Sequence, residues 1–139
     1  MKQVLFVCVH NAGRRQMAKA FFDRLAAERG LAVAAESAGT EPGAGVHPEV
    51  VAAMREVGLD LAGAQPKALT NELVGRADRI VTMGCAVDAE ACPAIFLKNV
   101  EDWGLPDPKG KPMPEVRRIR DEVRRRVAGL VEEYAGRQA

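Results

Sequence analysis

Apolar residues along the chain follow two patterns: short unbroken runs of strand length, and longer stretches in which they return every three or four positions. Val4 to Cys8 is an unbroken run, which suits a central strand of a parallel sheet covered on both faces. From about Gly13 to Arg29, Met17, Ala20, Phe21 and Leu25 form one stripe while Arg24, Glu28 and Arg29 face out. This predicts an amphipathic helix, closed by Gly30, which takes the left-handed conformation cheaply. Leu31 to Ser37 alternates through Leu31, Val33 and Ala35 and predicts a second strand, completing a right-handed strand-helix-strand crossover. The glycines and proline between Ala38 and Val46 mark a loop. Pro48 opens a second helix with Val50, Val51, Met54 and Val57 on one face before Gly58.

Beyond the irregular stretch from Leu59 to Lys67, Thr70 caps a short helix through Leu73 and Val74. Asp78 to Met83 predicts a third strand and Ala94 to Val100 a fourth. A proline-rich loop from Glu101 to Pro114 surrounds Asp107-Pro108. The last helix, from about Glu115 to Gly136, carries Val116, Ile119, Val123, Val127, Leu130, Val131 and Tyr134 on one face. The expected fold class is therefore α/β, a single-domain four-stranded parallel sheet flanked by helices over residues 1–139.

Composition narrows the possible functions without naming one. The 139 residues and 47% apolar content are those of one globular domain. The 20 basic and 19 acidic side chains leave a formal charge of +1, so neither nucleic acid nor an anionic membrane is an expected partner. Arg124-Arg125-Arg126 reads as a solvated face diluted by Asp121 and Glu122. No apolar run is long enough to span a bilayer and the opening lacks a leader pattern, so a cytoplasmic location is expected. Reduced thiols fit three cysteines there better than a disulfide framework does. Cys8, Cys85 and Cys92 have no ligand spacing for zinc with His10 and His47, so no metal is expected. His47, near a helix entry, reads as a capping or packing residue.

The chemistry concentrates where the first strand gives way to the first helix. Cys8, Val9, His10, Asn11, Ala12, Gly13 and Arg14 form Cys-x5-Arg on a strand-to-helix turn. Backbone N–H groups of such a turn, with the helix N-terminus, can hold a tetrahedral oxyanion while Arg14 grips two of its oxygens. The same positive field favours the thiolate, the nucleophilic form of Cys8. Taken alone, Cys8 also reads as a small apolar residue at a strand end. In a doubly wound sheet, ligands sit at the carboxyl ends of the strands. The ends of the first, third and fourth strands bring Cys8, Cys85 and Asp107 to one edge. Asp107 is the candidate acid, although its Asp-Pro-Lys-Gly setting is also ordinary turn chemistry. A phosphatase needs one thiol. A reductase of oxyanions needs a second to attack the first and a third to move the disulfide onward, and Cys85-x6-Cys92 can supply both.

With these residues in view, the chain resembles the thioredoxin-coupled arsenate reductases, which share the low-molecular-weight tyrosine phosphatase fold. The similarity lies in Val7 to Arg14 with Gln16-Met17-Ala18, Ser37-Ala38-Gly39-Thr40, Val46-His47-Pro48, and Val81-Thr82-Met83-Gly84-Cys85. It continues through Cys92-Pro93, Trp103 to Pro108 and Val116 to Asp121. The resemblance implies that Cys8 attacks arsenate held by the backbone of Val9 to Gly13 and by Arg14, with Asp107 helping a hydroxyl leave. Cys85 would then attack Cys8, and Cys92 would attack Cys85. Thioredoxin would reset the resulting disulfide. It implies no separate cofactor, competition by phosphate or sulfate, and a monomer.

Asn11 would support the loop's shape. Arg15 stands where the family usually has serine, and would support the thiolate by its charge. Lys19 stands where some relatives have an acid that helps hold potassium, so no potassium site is expected. Two other readings stay open: a low-molecular-weight tyrosine phosphatase working through a Cys8 phosphocysteine, and a sensor of oxyanions or thiol redox state.

Overall fold

The computed structural model describes residues 2–8, 13–39, 47–61, 68–83, 100–106, 108 and 110–138; for residues 8, 13, 100, 102, 137 and 138 it describes the backbone alone. Strand β1 (Lys2–Cys8) leads to α1 (Gly13–Glu28) and β2 (Val33–Gly39), then to α2 (Pro48–Arg55) and α3 (Asn71–Arg76). Strand β3 (Arg79–Thr82), β4 (Val100–Asp102) and α4 (Met113–Gln138) follow. The strands form one parallel sheet in the order β2-β1-β3-β4.

Side-chain alternation in β1 divides the core. Val4 and Phe6 join the cluster built with α1, α2 and α4, whereas Leu5 and Val7 join Leu73, Val74, Ala77 and Ile80 on the α3 side. Phe6 packs on Phe22 and Trp103 with ring centroids 6.1 and 5.7 Å apart, and Phe22 meets Tyr134 edge-on at 6.1 Å. The expected face of α4 is buried from Val116 to Tyr134, and Arg124, Arg125 and Arg126 are exposed.

Gly30, at φ 64°, ends α1 as expected. Its N–H donates to Ala27 O at 3.1 Å and that of Leu31 to Ala26 O at 3.0 Å, the paired bonds of a Schellman motif. This moves β2 two residues beyond its predicted start, because Leu31 still belongs to the helix cap. The fourth strand runs past its predicted end. Val100–Asp102 is β4, so two polar residues expected in a loop are strand, while 94–99 lie outside the described residues. At Glu101 the polarity has a purpose: its carboxylate accepts from Arg79 Nε at 2.7 Å and Trp103 Nε1 at 3.0 Å.

Thr70 Oγ1 accepts from Leu73 N at 3.1 Å and caps α3 as predicted. His47 occupies the N-cap of α2 without a side-chain cap bond; its carbonyl accepts from Val50 and Val51 instead. Glu56, just past α2, pairs with Arg117 at 2.8 Å and Arg120 at 2.7 Å and ties α2 to α4. No described helix is long and apolar enough to cross a membrane.

Candidate functional site

The sheet order makes the carboxyl end of β1 a switch point: β1 lies between β2 and β3, so the chain leaves it toward one side and later returns on the other. Crossovers diverge there and open a crevice at the strand's end. Cys8 is the last residue of β1, in register with Gly39 of β2. Gly13 begins α1 at the same edge. The first turn of α1 contains no acid, so no carboxylate of its own offsets the positive end of the helix.

Arg14 is 6% exposed, and its NH1 donates to the carbonyl oxygens of Met83 and Leu105, each at 2.5 Å. Met83 follows β3, and its own N–H donates to Val7 O at 3.1 Å. Leu105 follows β4 in a segment fixed by Trp103, whose N–H donates to Thr82 O at 2.9 Å and whose ring is buried against Phe6. One guanidinium therefore joins the start of α1 to the chain leaving β3 and to the chain leaving β4. The planar fork suits this task, because it carries five N–H donors in fixed directions.

Arg15 is fully buried, and its Nε and both terminal nitrogens find no hydrogen-bond partner among the described residues. Burial pushes its pKa down from the usual arginine range, because a desolvated guanidinium loses hydration. Arginine nonetheless keeps its charge at neutral pH. His47 Nε2 is likewise buried without a partner among the described residues.

Of the residues singled out from the sequence, Arg14 and Arg15 lie on the first turn of α1, beside the strand end that carries Cys8. Val9, His10, Asn11, Ala12, Cys85, Cys92 and Asp107 lie outside the described residues. Sequence reasoning missed the carbonyls of Met83 and Leu105 as anchors for Arg14. A carbonyl is present on every residue and carries no signature. Lys19, on the second turn of α1, pairs with Asp23 at 2.6 Å, and Asp23 also accepts from Ala35 N at 3.2 Å on β2. Among the described residues no three His, Cys, Asp or Glu side chains are grouped as a metal site requires.

Residues 3–138 match the family model described as low molecular weight phosphotyrosine protein phosphatase. An arsenate reductase of Brevibacillus brevis is 36% identical over 132 residues, covering 94% of this chain and 95% of that protein. A glutaredoxin arsenate reductase of Synechocystis is 35% identical over 133 residues, covering 94% and 97%. Among solved structures, an arsenate reductase in the phosphate-binding state superposes with a TM-score of 0.82 at 34% identity, over 96% of this chain and 99% of that one. A thioredoxin-dependent arsenate reductase of Corynebacterium glutamicum gives 0.74 at 32% identity, over 97% of this chain and 62% of that one.

Proposed function

The chain belongs to the low molecular weight phosphotyrosine protein phosphatase family, and within it we propose an arsenate reductase that works by a relay of three thiols. The observation that carries this reading is similarity to arsenate reductases over nearly the whole chain, combined with the presence of Cys85 and Cys92 downstream of Cys8. The geometry around Arg14 supports it. Met83 and Leu105, held by one guanidinium, precede Cys85 and Asp107 by two residues each.

In this reading the Cys8 thiolate attacks arsenic, and a hydroxyl leaves as water with a proton from Asp107. The Cys85 thiolate then attacks the Cys8 sulfur. The sulfur–arsenic bond breaks, its electron pair stays on arsenic, and arsenite leaves behind a Cys8–Cys85 disulfide. Cys92 attacks the Cys85 sulfur, frees Cys8 as a thiolate and forms the Cys85–Cys92 disulfide. A dithiol partner, thioredoxin, reduces that bond. Backbone N–H groups from Val9 to Gly13, with Arg14, hold the oxyanion throughout, and phosphate competes for the same cradle.

Arsenate-dependent oxidation of NADPH in the presence of thioredoxin and thioredoxin reductase tests the proposal. Sustained oxidation is expected, and replacing thioredoxin by glutaredoxin and glutathione identifies the partner. The family match itself favours one other reading, because Cys-x5-Arg serves a phosphatase equally well. Aryl phosphate hydrolysis without arsenate-dependent oxidation, unchanged by loss of Cys85 and Cys92, would establish that alternative.

A further inference from the structure

The Glu101 carboxylate divides its two oxygens between an ion pair and the buried tryptophan. Oε1 accepts from Arg79 Nε at 2.7 Å and from Arg79 NH2 at 2.5 Å, while Arg79 NH1 pairs with Glu133 of α4. Oε2 accepts from Trp103 Nε1 at 3.0 Å. A buried indole needs an acceptor for its N–H, and a hydroxyl or a carbonyl would serve. A carboxylate pinned by two charged donors adds a fixed direction, because one oxygen is held and the other is thereby placed. Trp103 continues the ladder past β4 with its N–H to Thr82 O at 2.9 Å, and its ring packs on Phe6. Gly104, at φ 58°, then turns the chain, and the Leu105 carbonyl accepts from Arg14 NH1 at 2.5 Å.

We propose that Glu101 is a positioning residue for Arg14: by holding the Trp103 indole it fixes the chain through Leu105, whose carbonyl aims the guanidinium. Its bearing on catalysis rests on the reading of Arg14 as an oxyanion ligand. The two carbonyls that share Arg14 NH1 differ in how the sheet holds them. Met83 is tied to the central strand by its own N–H to Val7 O at 3.1 Å. Leu105 follows a strand of three residues that pairs on one side only among the described residues, so little ladder fixes it. Glu101 supplies the missing constraint. A shift of about 1 Å at Leu105 would let the guanidinium turn about its bond to Met83, an error large enough to cost an oriented group heavily. The ion pair itself contributes little stability, because Arg79 and Glu101 are 23% and 41% exposed.

NMR of the full chain with isotope-labelled arginine, followed by titration with inorganic phosphate, tests this in the wild type, Glu101→Leu, Glu101→Gln and Glu133→Gln. The Arg14 guanidinium signals are identified by their loss in Arg14→Lys. Held by two carbonyls, Arg14 of the wild type should show resolved, slowly rotating N–H signals. In Glu101→Leu these should collapse into an averaged signal, and the dissociation constant for phosphate should rise about tenfold, as for one charged hydrogen bond lost. Glu101→Gln, whose amide oxygen still accepts from the indole, should lie nearer the wild type. Glu133→Gln cuts only the outer ion pair and should match the wild type. Unchanged Arg14 signals in Glu101→Leu overturn the proposal, as does a collapse of those signals in Glu133→Gln, which would mark a general loosening of that face. Failure of Glu101→Leu to fold also overturns it, because that is the behaviour of a purely structural residue. A wild type that binds no phosphate overturns the oxyanion reading instead, and the Arg14 signals then still decide whether Glu101 positions the guanidinium.

Discussion

The Arg14 guanidinium lies 2.5 Å from the carbonyl oxygen of Met83, across the gap between the start of α1 and the end of β3. The same NH1 group reaches Leu105 O at 2.5 Å, so three chain segments converge on one side chain. Charged donors make stronger hydrogen bonds than neutral ones, about 1.5–3 kcal/mol each. Arg14→Lys keeps the charge but places it on a compact ammonium that lacks the fork. Arsenate-dependent turnover is expected to fall by about two orders of magnitude or more. Arg14→Ala adds a loss of stability of about 2 kcal/mol, read by urea denaturation.

Glu56 gives the fold an acid-sensitive joint between α2 and α4. Hydrogen bonds from Arg117 and Arg120 hold its carboxyl down at about 2. A carboxylate with a depressed folded pKa contributes stability that is complete above its unfolded pKa and is lost as pH falls toward the folded value. The loss therefore spans pH 4.5 down to about 2. An NMR titration should place the Glu56 midpoint near the lower limit, and Glu56→Gln should flatten the acid limb of the stability curve. A midpoint near 4.5 would mean that these pairs do not persist in solution. Salt should weaken the effect, because both Glu56 and Arg117 touch solvent.

Thr70 holds the first turn of α3 with its side-chain oxygen. Thr70→Ala is expected to cost about 1 kcal/mol, and Thr70→Ser much less, because serine restores the acceptor. Chemical denaturation of the two variants compares them directly.

Phe22 lies between Phe6 and Tyr134, and Phe6 in turn packs on Trp103, the sole tryptophan. Phe22→Ala empties the centre of the larger core and should destabilise the chain by about 3–5 kcal/mol. Trp103 fluorescence follows the unfolding. A change below about 1 kcal/mol would show that the core collapses around the deletion.

The elements most legible in the sequence were those with the strongest periodicity. The face of α4 from Val116 to Tyr134 is buried as its spacing of three and four residues implies, and Gly30 stops α1 at its glycine. Burial in α1 went further than one stripe. Arg14, Arg15, Gln16, Met17 and Ala18 are all buried, so the start of this helix is enclosed on every side, which a period of 3.6 cannot reveal. Glu101 was hidden for a different reason: it is a polar strand residue, held by Arg79 and Trp103 rather than by apolar packing. The Cys8 and Arg14 spacing marked a candidate site because both residues come from one turn. Its ties to Met83 and Leu105 run through backbone carbonyls 69 and 91 residues away, which no local pattern encodes.

The relay makes a stoichiometric claim. With Cys92→Ser and excess arsenate, the relay should release one arsenite per chain and then arrest with Cys8 and Cys85 joined in a disulfide that mass spectrometry of a nonreducing digest detects. Repeated turnover by Cys92→Ser with thioredoxin as the sole reductant, at a rate comparable to the wild type, would contradict it.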